Sequence, residues 1–338
     1  MRIVLDPEPR TAEEIFSPAD HRYLLETHDV AAYPGGSRDA FYADHLPGCD
    51  ILISQQPMDT ARLETAPRLK AIFNVETNFL PNIDYPTCFA RGIHVLAPSG
   101  VFALPVAEMG LGMALSLARG IHSEHKLFLD AEERYGLEGN HDAELMTGSQ
   151  IGFVGFGDLG RALHALLPGF RPAAVRVFDP WLPDAHLQRL GVTPASLEEV
   201  LAKSRFVFVV AAITTENAHL LNAGNLALMQ DGASLILLSR AAVADFDAVA
   251  ALTKAGRIRF ATDVFPKEPV DRQDPIRTMP NTLFSPHRAG ALHSALKEIG
   301  RRVIEDIGQI EKGLPPISCR RAERETVMRL RSKPIEKT

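Results

Sequence analysis

Cysteine is scarce and odd in number. Cys49, Cys88 and Cys319 are the only three in 338 residues. They are widely spaced and form no metal-ligand pattern, so no metal is expected and a reducing cytoplasm is. Long apolar runs are missing as well. None approaches the roughly 18 residues that a membrane span requires. The opening MRIVLDPEPR lacks the form of a secretory signal, which again leads to the cytoplasm. Basic charge is not in excess: the formal net charge is −6, which gives no nucleic-acid surface. Repeats and low-complexity segments are absent. What is present is ordinary for a water-soluble globular chain, 46% hydrophobic and 23% charged residues. The length suggests two domains.

The informative stretch is GFVGFGDLG at 152–160. Gly155, Gly157 and Gly160 read Gly-x-Gly-x-x-Gly. The first makes a tight strand-to-helix turn, the second admits a pyrophosphate, and the third lets helix pack on strand. Ile151 to Val154 is a short apolar run suited to a buried strand. Leu159, Ala162, Leu163, Leu166 and Leu167 follow at helical spacing. Val175, Val177 and Phe178 form a second strand ending at Asp179, 19 positions past the last glycine. The helix N-terminal amides face phosphates, and the acid accepts from the ribose hydroxyls. Pro180 and Trp181 follow Asp179, with no base right after it, which favours NAD over NADP.

Around this motif, strand and helix alternate. Arg2 to Leu5, Cys49 to Ile53, Leu69 to Phe73 and His94 to Ala97 read as strands. Pro18 to Thr27 and Asp84 to Arg91 read as helices. A long helix is expected from Leu104 to Phe128; its small residues Gly110, Gly112 and Ala114 suit either intrachain core or a dimer contact. Further strands fall at Phe206 to Val210, Ser234 to Leu238, Ile258 to Thr262 and Thr282 to Ser285. Ser196 to Lys203 and Val243 to Lys254 are helices between them. A last helix, Leu292 to Ile310, carries the stripe Leu292, Leu296, Ile299, Val303, Ile307 and Ile310, and is expected to return to the first domain. The alternation argues for an α/β protein with doubly wound parallel sheets. The tail from Cys319 to Thr338 holds seven Lys or Arg against three Glu, either solvated or a partner site.

Three segments sit past predicted strand ends: Leu238 to Val243 with Ser239 and Arg240, Asp263 to Pro269, and Ser285 to Gly290. Ligands of open α/β sheets bind there, so Arg240, Glu268 and His287 are the candidate catalytic set. His is the side chain suited to proton transfer near neutral pH. A Glu on its other ring nitrogen would fix the tautomer. An Arg would grip a carboxylate with two bonds.

With these motifs the chain resembles the D-isomer-specific 2-hydroxyacid dehydrogenases, the group that includes phosphoglycerate dehydrogenases. The matching segments are GFVGFGDLG, VFDPW at 177–181, LSRAAVADFDAV at 238–249, ATDVFPKEP at 261–269 and SPHRAG at 285–290. PNIDY at 81–85 and VAEMGLGMALSLAR at 106–119 match more weakly. The resemblance implies that Arg240 binds substrate, that Glu268 pairs with His287, and that His287 is the acid/base. Asp263 would hold the nicotinamide carboxamide. Asp158, Leu159, Pro180, Ala211, Ala212 and Ser239 would join the cofactor site. It also implies two Rossmann-like or flavodoxin-like domains. Residues 101–290 bind NAD and are inserted in a substrate domain formed by 1–100 and 291–338, whose basic tail is 317–338. Homodimers through the nucleotide domains are usual.

Two places depart from the family pattern. Val209 to Thr214 replaces a common His-Val-Pro-Leu-Thr near the diphosphate; NAD is still expected to bind. The substrate loop, residues Val75, Glu76, Thr77 and Asn78, lacks the family glycines at 77 and 79. Its backbone is therefore less free, and Glu76 adds negative charge where a carboxylate should sit. Glu76 either turns to solvent or to a base, leaving a simple 2-hydroxy acid substrate, or it receives a polyhydroxylated or cationic one. On this reading Glu76→Gly should improve turnover of glyoxylate. The expected function is hydride transfer between NAD and C2 of a 2-hydroxy or 2-oxo acid. The alternative from another class is a non-catalytic NAD(H)-sensing, corepressor-like binding protein.

Overall fold

The computed structural model describes residues 1–329 apart from 77, 141 and 215. Thr77 and the end of the basic tail lie outside the described residues. The chain divides into two compact units, Met1–Val101 with Ala291–Thr338, and Phe102–Gly290.

The first unit contains strands β1 (Arg2–Asp6), β2 (Asp29–Ala32), β3 (Ile51–Ser54), β4 (Ala71–Phe73) and β5 (His94–Ala97). The second contains β6 (Gln150–Val154), β7 (Ala174–Phe178), β8 (Thr193–Pro194), β9 (Phe206–Val209), β10 (Ala233–Leu237), β11 (Ile258–Thr262) and β12 (Thr282–Phe284). A short β13 (Arg320–Arg321) belongs to the first unit's sheet. The orders are β13-β5-β4-β3-β1-β2 and β12-β11-β10-β9-β6-β7-β8. Every pairing is parallel except β13 on β5. These are the flavodoxin-like and Rossmann-like orders, extended by one edge strand each. The α/β class and doubly wound sheets expected from the alternation are present.

Side-chain alternation builds the second unit's two cores. Phe153, Phe206 and Phe208 face one side. Val154, Val207 and Val209 face the other. Because both faces are covered, these strands read as continuous apolar runs. Helices Ala103–Arg119 and Asp158–Ala165 cover the first face, and Leu197–Lys203 and Phe246–Lys254 the second.

Several boundaries differ from expectation. The long helix is two, Ala103–Arg119 and Ile121–Leu129, divided at Gly120. Gly120 sits at φ +62, in the left-handed region that ends helices. Gly110 serves the interior: a Cβ there would lie 2.3 Å from Leu238 Cδ1. Ala114 is buried in the same core, whereas Gly112 is exposed and touches nothing. Residues Ala241–Val243 form a 3-10 turn, and the next helix starts only after Asp245, which caps it. Leu292 precedes the last helix, His293–Glu311, and is exposed; the rest of the predicted stripe is buried. This helix returns to the first unit, where Lys297 Nζ donates to the Phe16 carbonyl at 2.8 Å. The tail is not wholly solvated. Buried Asp306 accepts backbone N–H groups from Ile317, Ser318 and Cys319, which leads the chain into β13.

The three cysteines are free thiols buried in the fold. Burial pushes Cys49 and Cys88 up to about 12 and raises Cys319 as well. A thiol reacts as its thiolate. A chromogenic thiol reagent near neutral pH should therefore modify none of the three in the folded protein and all three in denaturant.

Candidate active site

In the second unit the candidate residues gather at one edge of the sheet. Gly155 follows β6, Asp179 follows β7 and Ala211 follows β9. Ser239 and Arg240 follow β10, Asp263 follows β11, and Ser285 and His287 follow β12. Parallel strands put all these carboxyl ends on the same side, where such sheets bind ligands.

The glycine turn is held by close approach. Gly155 has φ +89, and a Cβ on it would lie 2.5 Å from Ala211 Cα. That crossing sets the turn against Ala211, just past the end of β9. A Cβ on Gly160 would meet the Gly155 carbonyl oxygen at 3.0 Å, so this glycine sets helix against strand. Gly157 has nothing within 4 Å and faces open space. It precedes helix Asp158–Ala165, whose N-terminus carries no side-chain cap. Unsatisfied amides and open space suit a phosphate group. Asp158 and Leu159 are the first residues of that helix. Asp158 pairs with Arg161 at 2.6 Å.

Asp179 also braces the turn. Its Oδ2 accepts from Phe156 N–H at 2.7 Å and its Oδ1 from Trp181 N–H at 2.9 Å, across Pro180. A carboxylate offers about four acceptor positions, so lone pairs remain for ribose hydroxyls. Farther along the edge, the Ser239 and Ser285 hydroxyls are buried with no protein partner among the described residues. Buried polar atoms normally find one. The open cradle at Gly157, the uncapped helix and these orphaned hydroxyls fit a nicotinamide dinucleotide.

Glu268 and His287 meet directly. His287 Nδ1 lies 2.5 Å from Glu268 Oε2. Phe265 N–H donates to Glu268 Oε1 at 2.8 Å, which fixes the carboxylate from behind. The imidazole is 44% exposed, with Nε2 as the nitrogen not used by the glutamate. His287 itself has φ +49, uncommon for a residue with a side chain. Asp263 holds the residues that follow His287. This buried carboxylate accepts from Arg288 N–H at 2.9 Å and Ala289 N–H at 2.8 Å, and so fastens the turn carrying His287. Arg240, half-buried just after β10, has a non-helical backbone before the 3-10 turn. The role of Asp263 as a clamp on the histidine turn is not visible in the sequence, because its partners lie 25 and 26 residues away.

In the first unit, Glu76 is buried, with a side chain only 7% exposed. It pairs with Arg10, whose Nε lies 2.7 Å from Glu76 Oε1. Glu76 N–H donates to Gln55 Oε1 at 2.8 Å, and Asn78 Nδ2 reaches the Glu76 carbonyl at 3.4 Å. Val75 is buried and Asn78 half-buried in the same loop. Of the readings left open for Glu76, the structure has the pairing with a base. The expected gain from Glu76→Gly loses its ground, since the charge is already neutralised. Arg10 was missed because its partner is 66 residues distant.

The chain is similar to several known proteins. The family model of the D-isomer specific 2-hydroxyacid dehydrogenase NAD binding domain matches residues 111–289. A glyoxylate reductase of Korarchaeum cryptofilum is 28% identical over 286 residues, covering 81% of this chain and 83% of its own. A D-3-phosphoglycerate dehydrogenase of Archaeoglobus fulgidus is 27% identical over 291 residues, 85% of this chain and 54% of its own. The solved structure of a phosphoglycerate oxidoreductase from Rhizobium etli has a TM-score of 0.88 and 46% identity, covering 96% of this chain and 99% of that one. A match over more than half of the chain, together with the glycine turn, Asp179 and the Glu268–His287 pair, makes this chain a member of the D-isomer specific 2-hydroxyacid dehydrogenase family.

Proposed function

We propose that the chain interconverts 2-oxo acids and D-2-hydroxy acids with NAD(H), and that Arg240, Glu268 and His287 carry the chemistry. The observation that carries this reading is the Glu268–His287 pair at the same sheet edge as the glycine turn. When bound, the dinucleotide supplies or takes up the hydride at C2. The protein supplies the proton. Glu268, accepting from Nδ1, leaves Nε2 as the nitrogen that gives a proton to the carbonyl oxygen in reduction and removes it from the hydroxyl in oxidation. The carboxylate also stabilises the imidazolium form. Arg240 binds the substrate and draws electron density toward its carbonyl oxygen. Asp179 selects NAD by accepting from both ribose hydroxyls and repelling a 2′-phosphate. The loop at Val75 to Asn78, with Thr77, selects the substrate. The test is a panel of 2-oxo acids with NADH, followed by NADH absorbance. Oxidation of NADH by at least one member is expected; none would overturn the reading.

The same proposal includes a homodimer joined through the second unit and a cytoplasmic location. The segment after Gly120 exposes Ile121, Phe128, Leu129, Leu137 and Leu145. It is nevertheless tied down, since Glu144 pairs with Arg259 at 2.9 Å and with Arg205 at 2.5 Å. Five large apolar side chains exposed on one tied-down segment support an interaction surface there. Sedimentation should show a dimer, and Phe128→Asp with Leu137→Asp should convert it to monomer. The three free thiols support a reducing compartment.

A further inference from the structure

The loop that lacks the family glycines has an arginine in its place. Three residues converge at the carboxyl ends of the first unit's strands. Arg10 comes from the loop after β1, Gln55 directly follows β3, and Glu76 follows β4. In the order β2-β1-β3-β4-β5 the strand order reverses between β1 and β3. That reversal is where open α/β sheets bind ligands.

The bonding at this point is one-sided. Glu76 engages Arg10 only through Nε. Neither Nη makes a hydrogen bond among the described residues. The guanidinium is therefore oriented from behind, with its two-pronged edge uncommitted. The backbone amide of Glu76, which a more open loop would offer to an anion, is taken by Gln55 Oε1. Gln55 Nε2 and Asn74 Nδ2 are buried without an acceptor, and Asn74 Oδ1 without a donor, among the described residues. The fold thus leaves donors unused at this corner while removing an amide. A carboxylate on Nη1 and Nη2 would place Arg10 between two acids, an arrangement the planar guanidinium supports.

We propose that Arg10, positioned by Glu76, receives the carboxylate of the substrate in this chain, doing with a side chain what a glycine loop does with backbone amides. Glu76 is a positioning residue and not a repelling charge. The inference rests on the 2-oxo acid reading above and assigns its anion receptor.

The probe is oxamate, an unreactive isostere of a 2-oxo acid, titrated calorimetrically into the NADH-loaded protein. Arg10→Ala should weaken oxamate at least about tenfold, raise KM for glyoxylate in parallel, and leave NADH affinity unchanged. Arg10→Lys should fall between, since a single ammonium lacks the fork. The double variant Arg10→Ala with Glu76→Gln separates binding from neutralisation. If Arg10 contacts the anion, the double variant stays as weak as Arg10→Ala. If Arg10 merely offsets the charge of Glu76, affinity returns to the wild-type value, which overturns the proposal. Unchanged oxamate affinity in Arg10→Ala, or no oxamate binding by the wild type, also overturns it. Arg10-dependent oxamate binding without turnover of any 2-oxo acid would sink the dehydrogenase reading and leave this one standing.

Discussion

Replacing His287 with alanine should lower kcat for 2-oxo acid reduction by about 10³-fold while NADH binds as before. The size follows from what the residue does. A positioned general acid or base contributes roughly 10²–10⁴-fold. The separation of effects follows from where it sits. His287 is nearly half exposed on the turn after β12, whereas the glycine turn and Asp179 follow β6 and β7. Removing the imidazole touches none of the groups that hold the dinucleotide phosphates. Its partner Glu268 keeps the bond from Phe265 N–H, so the loop stays in place. Stopped-flow reduction and NADH titration, made on the same preparation, check the two halves. Turnover at the wild-type rate would remove His287 from the mechanism.

The second large effect is expected at the glycine turn, where two substitutions should fail for different reasons. Gly155→Ala is blocked by the protein itself. Its φ of +89 disfavours any side chain, and the added carbon would lie 2.6 Å from the Ala211 backbone nitrogen. Left-handed strain costs about 1–2 kcal/mol, and the contact forces β6 away from β9. The second unit should melt earlier, and NADH affinity should drop about 100-fold or more, near 2.8 kcal/mol at 1.4 per tenfold. Gly157→Ala meets no protein atom within 4 Å. It should therefore melt like the wild type and still lose NADH affinity, because its methyl enters the space assigned to the pyrophosphate. Quenching of Trp181, half-exposed beside Asp179, reports binding in both. Wild-type affinity in Gly157→Ala would place the phosphates elsewhere.

How much of this was legible in the sequence depends on how local each cause is. The glycine turn was, because its demands are carried within nine residues: a strand, a positive φ and a helix start. The Glu268–His287 contact and the place of Arg240 after a strand end were legible from the order of these residues along the chain. Features that depend on distant partners were hidden. Asp263 grips amides 25 and 26 residues away, and Arg10 answers a carboxylate 66 residues on. The division of the long helix escaped for another reason: Gly120 interrupts an apolar pattern that continues on both sides, and periodicity alone does not register a backbone reversal. β2 escaped because Asp29-Val30-Ala31-Ala32 holds one strong strand former and no fully buried residue.

The central claim is that His287 and bound NADH act together on C2 of a 2-oxo acid. The most direct measurement is transfer of deuterium from NADH labelled at the nicotinamide C4 to glyoxylate and larger 2-oxo acids, with the product examined by NMR and chiral chromatography. The account predicts a 2-hydroxy acid labelled at C2, of D configuration where that carbon is stereogenic, and loss of the label transfer in His287→Ala. Binding of NADH, seen as Trp181 quenching, with no deuterium at C2 of any product would contradict it and leave a protein that senses the dinucleotide without using it.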